Sequence, residues 1–324
     1  MRILVTGGTG FVGQRVCFSL TTAGHQIRVP SRDLDAARRR IAQPATAERR
    51  VQGSGPQGAS IEIVRLPESR NEWSSAVSGV DAIVNLAGES IAAGRWSEGR
   101  KQAILNSRVE TTRSLVEACA AQSRRPKVLV SASAVGYYGA HGGEELDETA
   151  PPGDDFLARV CVAWEGEARR AEEQGLRVVL LRIGVVLGEG GGALSSMLPP
   201  FKLFVGGPLG SGEQWMSWIA LDDLVGLIEL GLTKEELRGP MNCTAPDPRT
   251  MRDFSRTLGA VLRRPSWAPV PAFVLRIVLG EMAHMLLNGQ RVLPAVATRA
   301  GYRFRHSTLE SALRAALGGR SRAA

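Results

Sequence analysis

The stretch LVTGGTGFVGQRVCFSL, residues 4–20, settles which class of fold the chain can adopt. An apolar run enters a knot of glycines and leaves as a helical pattern, with Val12, Val16 and Leu20 on one stripe. Gly7, Gly10 and Gly13 follow a strand directly and open a helix, which is the fingerprint of a dinucleotide-binding turn. Each glycine has a mechanical task. Gly7 supplies the tight turn, Gly10 lets the backbone approach a pyrophosphate, and Gly13 lets the helix pack against the strand. The main-chain N–H groups of the helix start then hold the anion. Three glycines alone prove little; the strand–turn–helix setting gives the pattern its force.

The next landmark is the ribose. A fold of this kind that prefers NAD places Asp or Glu about 20 residues on, at the end of the second strand. Here that strand ends in VPSRD, and Ser31 and Arg32 stand 18 and 19 residues after Gly13. A guanidinium grips a 2′-phosphate and stacks on adenine. The reading is NADP(H), with Arg32 as the discriminating residue; a solvated turn residue is the plainer alternative. Asp33, next in line, is expected to point away.

Strand-like runs recur at 2–6, 26–30, 61–66, 81–87, 127–133 and 177–184. They are nearly continuous apolar runs, as parallel strands covered on both faces should be. Helical patterns separate most of them, so the expected class is α/β, a doubly wound parallel Rossmann sheet. Residues 35–60, polar and rich in Gly, Pro and Ala, read as a mobile insertion. Beyond 184 the chain becomes loop-rich, with a short helix expected near 194–204. WIALDDLVGLIELGL, 218–232, reads as a strand end feeding a helix capped by its Asp pair. PMNCTAP reads as one more strand, Thr250 as a helix cap, and Ser307 with Glu310 as a capping box. The expected division is a nucleotide-binding domain of 1–187 with about 214–245, and a substrate cap of 188–213 with 246–324.

Composition bounds the partners. The 324 residues are 44% hydrophobic, enough for a large core. A net charge of +8 permits anions, but arginines are spread along the chain beside acids, with no basic patch interleaved with aromatics. Nucleic acid is therefore not expected. The apolar stretch 271–287 carries Arg276, Glu281 and His284 and falls short of the ~20 apolar residues of a membrane span. A buried or groove-lining helix is expected there, and no membrane contact. Cys17, Cys119, Cys161 and Cys243 are isolated, without metal spacing or a disulfide pattern, as in a reducing cytosol. The N-terminus shows no secretion signal, so the expected location is cytoplasmic.

TGGTGFVG, NLAGE (85–89), SASAVGYYG (131–139), LRIGVVLG (181–188), WIALDDL (218–224) and GQRVLPAVATRAGYRF (289–304) together resemble an extended short-chain dehydrogenase/reductase. The likeness is closer to one atypical branch, the nucleotide-sugar-epimerase-like proteins called the epimerase family, and runs nearly end to end. The resemblance implies a cofactor cleft lined by Gly7, Thr9, Gly10, Phe11, Val12, Gly13, Ser31, Arg32, Leu86, Ala87, Gly88, Arg108 and Val186.

It also implies an active site, which this sequence alters. The usual fold carries a Tyr and a Lys four residues later, aided by Ser and Asn. Position by position, the serine falls on Ser133, the asparagine on Arg108, the tyrosine on Cys161 and the lysine on Glu165. A carboxylate raises the pKa of a neighbouring acid where a lysine would lower it. An unassisted thiol near pKa ~8.5 is a poor substitute. Tyr137 and Tyr138, four and five residues after Ser133, are substitute proton donors on the loop leaving the strand. Packing is the alternative role for both, and for Cys161. Trp164 is expected in the core or against the cofactor, and Arg182, Asp222 and Asp223 are expected to be structural. Arg95, Trp96, Trp215 and Trp218 are candidate walls of the pocket.

Two functions fit these residues. One is an NADP-dependent oxidoreductase or epimerase acting on a small polar substrate, as a monomer or homo-oligomer. The other is a module that binds NADP(H), senses its redox state and performs no turnover.

Overall fold

The computed structural model describes residues 1–42 and 58–318. Its centre is a seven-stranded parallel sheet. The strands are β1 (Arg2–Thr6), β2 (Gln26–Ser31), β3 (Ser60–Arg65), β4 (Ala82–Asn85), β5 (Val128–Ala134), β7 (Arg177–Ile183) and β11 (Gly239–Cys243). Their spatial order is β11-β7-β5-β4-β1-β2-β3, so the chain reverses direction across the sheet between β1 and β4. In a doubly wound sheet this switch point opens the crevice where ligands bind.

The apolar runs explain the layering. β1, β4 and the centre of β5 are buried on both faces. One face packs α1 (Phe11–Thr22) and α7 (Leu221–Thr233) through Val16, Leu20, Leu224 and Ile228. The other packs α3 (Arg70–Val77), α4 (Glu98–Ala120) and α5 (Phe156–Arg169) through Trp73, Leu115, Val116 and Ala168. α2 (Leu34–Ala42) follows β2. It occupies the start of the segment read as an insertion, 35–60: Asp33 accepts from the Ala36 amide and starts the helix. The part of that expectation covering 43–57 lies outside the described residues.

The remaining strands are short pairs: β6 (Glu145–Leu146) with β13 (Arg291–Val292), β8 (Val185–Leu187) with β10 (Trp218–Ala220), and β9 (Trp215–Met216) with β12 (Arg249–Thr250). A separate core joins α6 (Gly192–Lys202), α8 (Met251–Leu262) and α12 (Leu309–Gly318) around Trp218, Phe254 and Leu313. Thr250 caps α8, accepting from the Asp253 amide.

Three local readings are corrected. The α7 Asp pair does not cap its helix. Asp222 pairs with Arg15, while Asp223 is buried and accepts from the Arg305 and His306 amides, tying down the C-terminal segment. At α12 the capping side chain is Thr308, which accepts from Ser311, in place of Ser307. The stretch 271–287 is not one buried helix. Gly280 at φ +62° divides α9 (Ala272–Leu279) from a 3-10 turn and α10 (Ala283–Leu287). α9 leaves Phe273, Ile277 and Val278 exposed. α11 (Ala295–Arg299) completes the elements, and no described helix is long and apolar enough to cross a membrane.

Candidate functional site

The glycine turn follows β1 at the switch point, and its three glycines meet different surroundings. Gly7 has φ +68°, and a Cβ there would lie 2.6 Å from the Leu86 carbonyl oxygen on the neighbouring β4 loop. A Cβ on Gly13 would lie 2.1 Å from the Gly7 carbonyl oxygen. Gly13 thus clears the turn itself, where the sequence pointed to helix–strand packing. Gly10 differs: its Cβ would meet only Gly7 O, at 3.2 Å, and otherwise open space. Gly10 is the N-cap of α1, no side chain caps that helix, and its first turn holds no acid. Bare amides and the positive end of the helix dipole therefore face the opening, which suits a diphosphate. Thr9 holds the turn through its carbonyl, which accepts from Gln14 Nε2 at 3.0 Å.

Phe11 and Val12 have packing roles as well. Cβ atoms on Gly188, Gly191 and Gly192 would each come within 3.0 Å of the Phe11 ring. The ring is thus seated in the glycine-rich loop after β8, beside Val186. Val12 packs on the core behind the turn, as do Val186 and Leu86. Beneath the cradle runs a buried polar chain. Thr6 Oγ1 donates to Asn85 Oδ1 (2.7 Å), and Asn85 Nδ2 donates to Thr112 Oγ1 (2.9 Å) and Ser131 Oγ (3.2 Å). Trp164 Nε1 also donates to Thr112 Oγ1 (3.0 Å), so Trp164 is a core residue fixing α5 to α4.

On the β2 lip, Ser31 Oγ donates to the Asp33 carbonyl, and Asp33 is turned into its helix. The Arg32 side chain is 81% exposed and reaches Glu89, 3.7 Å away on the opposite lip. Glu89 follows Leu86, Ala87 and Gly88 on the loop after β4 and also pairs with Arg100 (3.3 Å). Arg108 holds that loop from below: Nη2 donates to the Glu89 carbonyl (3.0 Å) and Nη1 to Ile104 O (2.9 Å). A Cβ on Gly88 would sit 3.0 Å from Arg108 Cζ, so this glycine makes room for the guanidinium. Burial pulls the Arg108 pKa down.

The altered catalytic positions converge. Ser133 Oγ donates to Glu165 Oε1 (2.8 Å), and Arg182 donates to both oxygens of Glu165 (2.9 and 3.1 Å). All three are buried. Burial pulls Arg182 down, but the Glu165 carboxylate and the Tyr138 hydroxyl outweigh it and hold the guanidinium above its ordinary range. Cys161 Sγ points at the Ala134 carbonyl (3.7 Å). Burial, with the Glu165 charge adding to it, pushes that thiol up to about 11.

The two tyrosines separate. Tyr138 is fully buried; its hydroxyl accepts from Arg182 Nη1 (3.0 Å) and donates to Asn242 Oδ1 (2.7 Å). Burial raises its pKa to about 12. Placed in this way it has no path to a substrate, which corrects its reading as a proton donor. Tyr137 is half-buried, its ring centroid 3.4 Å from Arg182 Cζ, and among the described residues no hydrogen bond engages its hydroxyl. Arg182, read as merely structural, is thus the hub joining Ser133, Glu165 and both tyrosines. Nothing in the sequence signalled this, because Arg182 lies on β7 and its partners come from β5, α5 and the 3-10 turn at 135–138.

Of the candidate wall residues, Trp218 is fully buried in the separate core around Phe254 and Leu313 and donates to Asp247 O (2.7 Å), so it is no wall. Trp96 packs edge-on to Phe156 (5.1 Å), Arg95 binds the Ile277 carbonyl of α9, and Trp215 lies under Arg291 (4.6 Å).

With this geometry in place, likenesses to known proteins can be weighed. Residues 3–243 match the NAD dependent epimerase/dehydratase family, and residues 270–316 match a domain of unknown function, DUF1731. The chain is 45% identical over 317 residues to the Arabidopsis thaliana epimerase family protein SDR39U1 homolog, chloroplastic, covering 97% of this chain and 86% of that one. It is 39% identical over 314 residues to epimerase family protein YfhF of Bacillus subtilis, covering 97% of each. The crystal structure of human epimerase family protein SDR39U1 with NADPH superposes with TM-score 0.84 at 36% identity, over 98% of this chain and 99% of that one. UDP-glucuronic acid 4-epimerase from Bacillus cereus, solved with UDP-glucuronic acid and NAD, gives TM-score 0.76 at 16% identity over 99% of each chain, a likeness of fold alone.

Proposed function

The chain belongs to the NAD dependent epimerase/dehydratase family, and from that premise we propose an NADP(H)-dependent oxidoreductase or epimerase acting on a small polar substrate. One observation carries the cofactor reading: an uncapped, acid-free helix start behind a glycine turn, with an exposed guanidinium on its rim. The family relationship and the NADPH in the human structure support it. The cleft fits the dinucleotide, because the turn leaves open the space that a Cβ on Gly10 would enter. Gly7 to Gly13 would hold the diphosphate, Arg32 the 2′-phosphate, and Leu86 to Gly88 would line the cleft.

A nicotinamide bound there supplies hydride transfer. The chain supplies the rest. Ser133 gives its hydrogen to Glu165, so its lone pairs are left to accept from a substrate hydroxyl. Tyr137 offers the accessible hydroxyl for proton transfer, and Arg182, locked by Glu165, sits against its ring. Calorimetry with NADPH and NADH tests the cofactor, and NADPH absorbance across aldehydes, ketones and nucleotide sugars tests turnover. No heat with either coenzyme would sink the reading.

A second reading, a sensor without turnover, rests on Cys161 and Glu165. The first is a neutral buried thiol and the second is tied to Arg182, so neither does the work of a Tyr/Lys pair. Binding of NADPH without consumption by any substrate, together with a partner retained only in one redox state, would favour it.

A further inference from the structure

We propose that Glu89 and Arg32 form a gate across the cofactor cleft, with Glu89 occupying the guanidinium that the 2′-phosphate must capture. The inference rests on the NADP(H) reading above and assigns a role to a residue which that reading does not use. Arg32 follows β2 and Glu89 follows the loop after β4, while β1 lies between those two strands. Two strand spacings separate the lips by about 10 Å. A contact between side chains on these lips, here 3.7 Å between Nη1 and Oε1, therefore passes over the turn that ends β1. That turn is the glycine cradle.

The two partners are held very differently. Glu89 is anchored: Arg100 binds its other carboxylate oxygen, Arg108 binds its carbonyl, and Ser107 Oγ accepts from its amide. Arg32 is 81% exposed, and among the described residues Glu89 is its one charged partner. The anchored carboxylate stays and the loose guanidinium moves. Any dinucleotide entering the cleft displaces Arg32 from Glu89, so NADH and NADPH lose the same contact. Only NADPH returns a partner to Arg32, as a bidentate phosphate contact. The gate thus weakens both coenzymes, and the phosphate compensates for one of them. Glu89 sets how tightly the cleft binds, and Arg32 sets which coenzyme it prefers.

The test is titration of the purified chain with NADPH and NADH, read as dissociation constants, for the wild type, Glu89→Gln, Arg32→Ala and the double variant. An exposed ion pair of this kind corresponds to about a two- to fivefold effect. Glu89→Gln is expected to tighten both coenzymes by that factor, with the gain shrinking in 1 M salt as the pair is screened. Arg32→Ala is expected to tighten NADH by the same factor while weakening NADPH. Glu89→Gln added to Arg32→Ala is expected to change nothing further. Glu89→Ala repeats the first arm without a hydrogen-bonding amide. NADH affinity that stays unchanged or weakens in both Glu89 variants overturns the gate. An NADPH-to-NADH ratio unmoved by Arg32→Ala overturns the phosphate reading beneath it, a separate result.

Discussion

Gly10 and Gly13 stand three residues apart in one motif and meet different surroundings in space. A methyl on Gly13 meets the Gly7 carbonyl at 2.1 Å, backbone against backbone with nothing flexible to give way. Gly13→Ala is expected to cost about 3 kcal/mol or more, at the upper end for overpacking, read as a lowered urea midpoint. Gly10→Ala, with a single contact at 3.2 Å, should leave that midpoint nearly unchanged and instead weaken dinucleotide binding at least tenfold. Calorimetry that finds full affinity in Gly10→Ala would contradict the placement of the diphosphate. Cys161 gives a second residue-scale prediction, with a definite sign. Its pKa is raised by burial to about 11 in the folded chain, against ~8.5 for a free thiol. The folded state therefore holds the proton longer than the unfolded one. The stability this contributes is complete below about pH 8.5 and is lost as pH rises towards 11, about 2 kcal/mol of it by pH 10. Urea unfolding under reductant should show this decline together with that of the other buried thiols, Cys119 and Cys243, whose pKa values burial also raises. Cys161→Ala should reduce it by about 2 kcal/mol at pH 10; an unchanged slope would mean the thiol is not buried as described. The resemblance put Ser133 at the position of the usual serine, and Cys161 and Glu165 at those of the usual tyrosine and lysine, because strand and helix register align with the family pattern there. For Arg182 the sequence suggested only a structural role, because its partners meet only through the fold.

At the scale of elements, the parallel strands were legible because most are short apolar runs, and the central ones, β1 and β4, are buried on both faces. What was hidden depended on local competition. α2 begins in a polar, arginine-rich segment with little apolar pattern, and an aspartate at its start decides it. The apolar stretch 271–287 looked continuous, yet Gly280 at φ +62° breaks it, with Arg95 against that turn. The loop after β8 was equally opaque: its glycines answer to a ring that arrives from α1, far away in sequence. A Cβ on Gly191 would lie 2.5 Å from the Phe11 ring. Gly191→Ala should therefore destabilise by about 2 kcal/mol, and Phe11→Ala by about 2–3 kcal/mol through the cavity it leaves. Because the two changes concern one contact, the double variant should cost clearly less than their sum. Additive losses in denaturant titrations would show that the ring and the loop do not meet.

The whole molecule couples these parts through one crevice. β1 contributes the turn, β2 the guanidinium, β4 the anchored carboxylate, and β5, α5 and β7 the buried Ser133–Glu165–Arg182 chain. The C-terminal segment is fastened to the sheet and its helices at several points, among them Asp223 to residues 305–306 and Lys101 to Glu281 (2.7 Å). A ligand in the crevice therefore stabilises an assembly that is already joined, and its binding energy should appear in global unfolding. A ligand that binds only the folded chain at a hundred times its dissociation constant adds about 2.7 kcal/mol. At about 2.1 cal/mol/K of unfolding entropy per residue, a chain of 324 residues converts this into a rise of roughly 4 °C. NADPH should produce this shift, and NADH at the same concentration a smaller one, because only NADPH gives Arg32 a phosphate. In Arg32→Ala the two coenzymes should shift the melting temperature equally. Equal shifts in the wild type would remove Arg32 from the discrimination, and no shift with either coenzyme would remove the crevice from the dinucleotide.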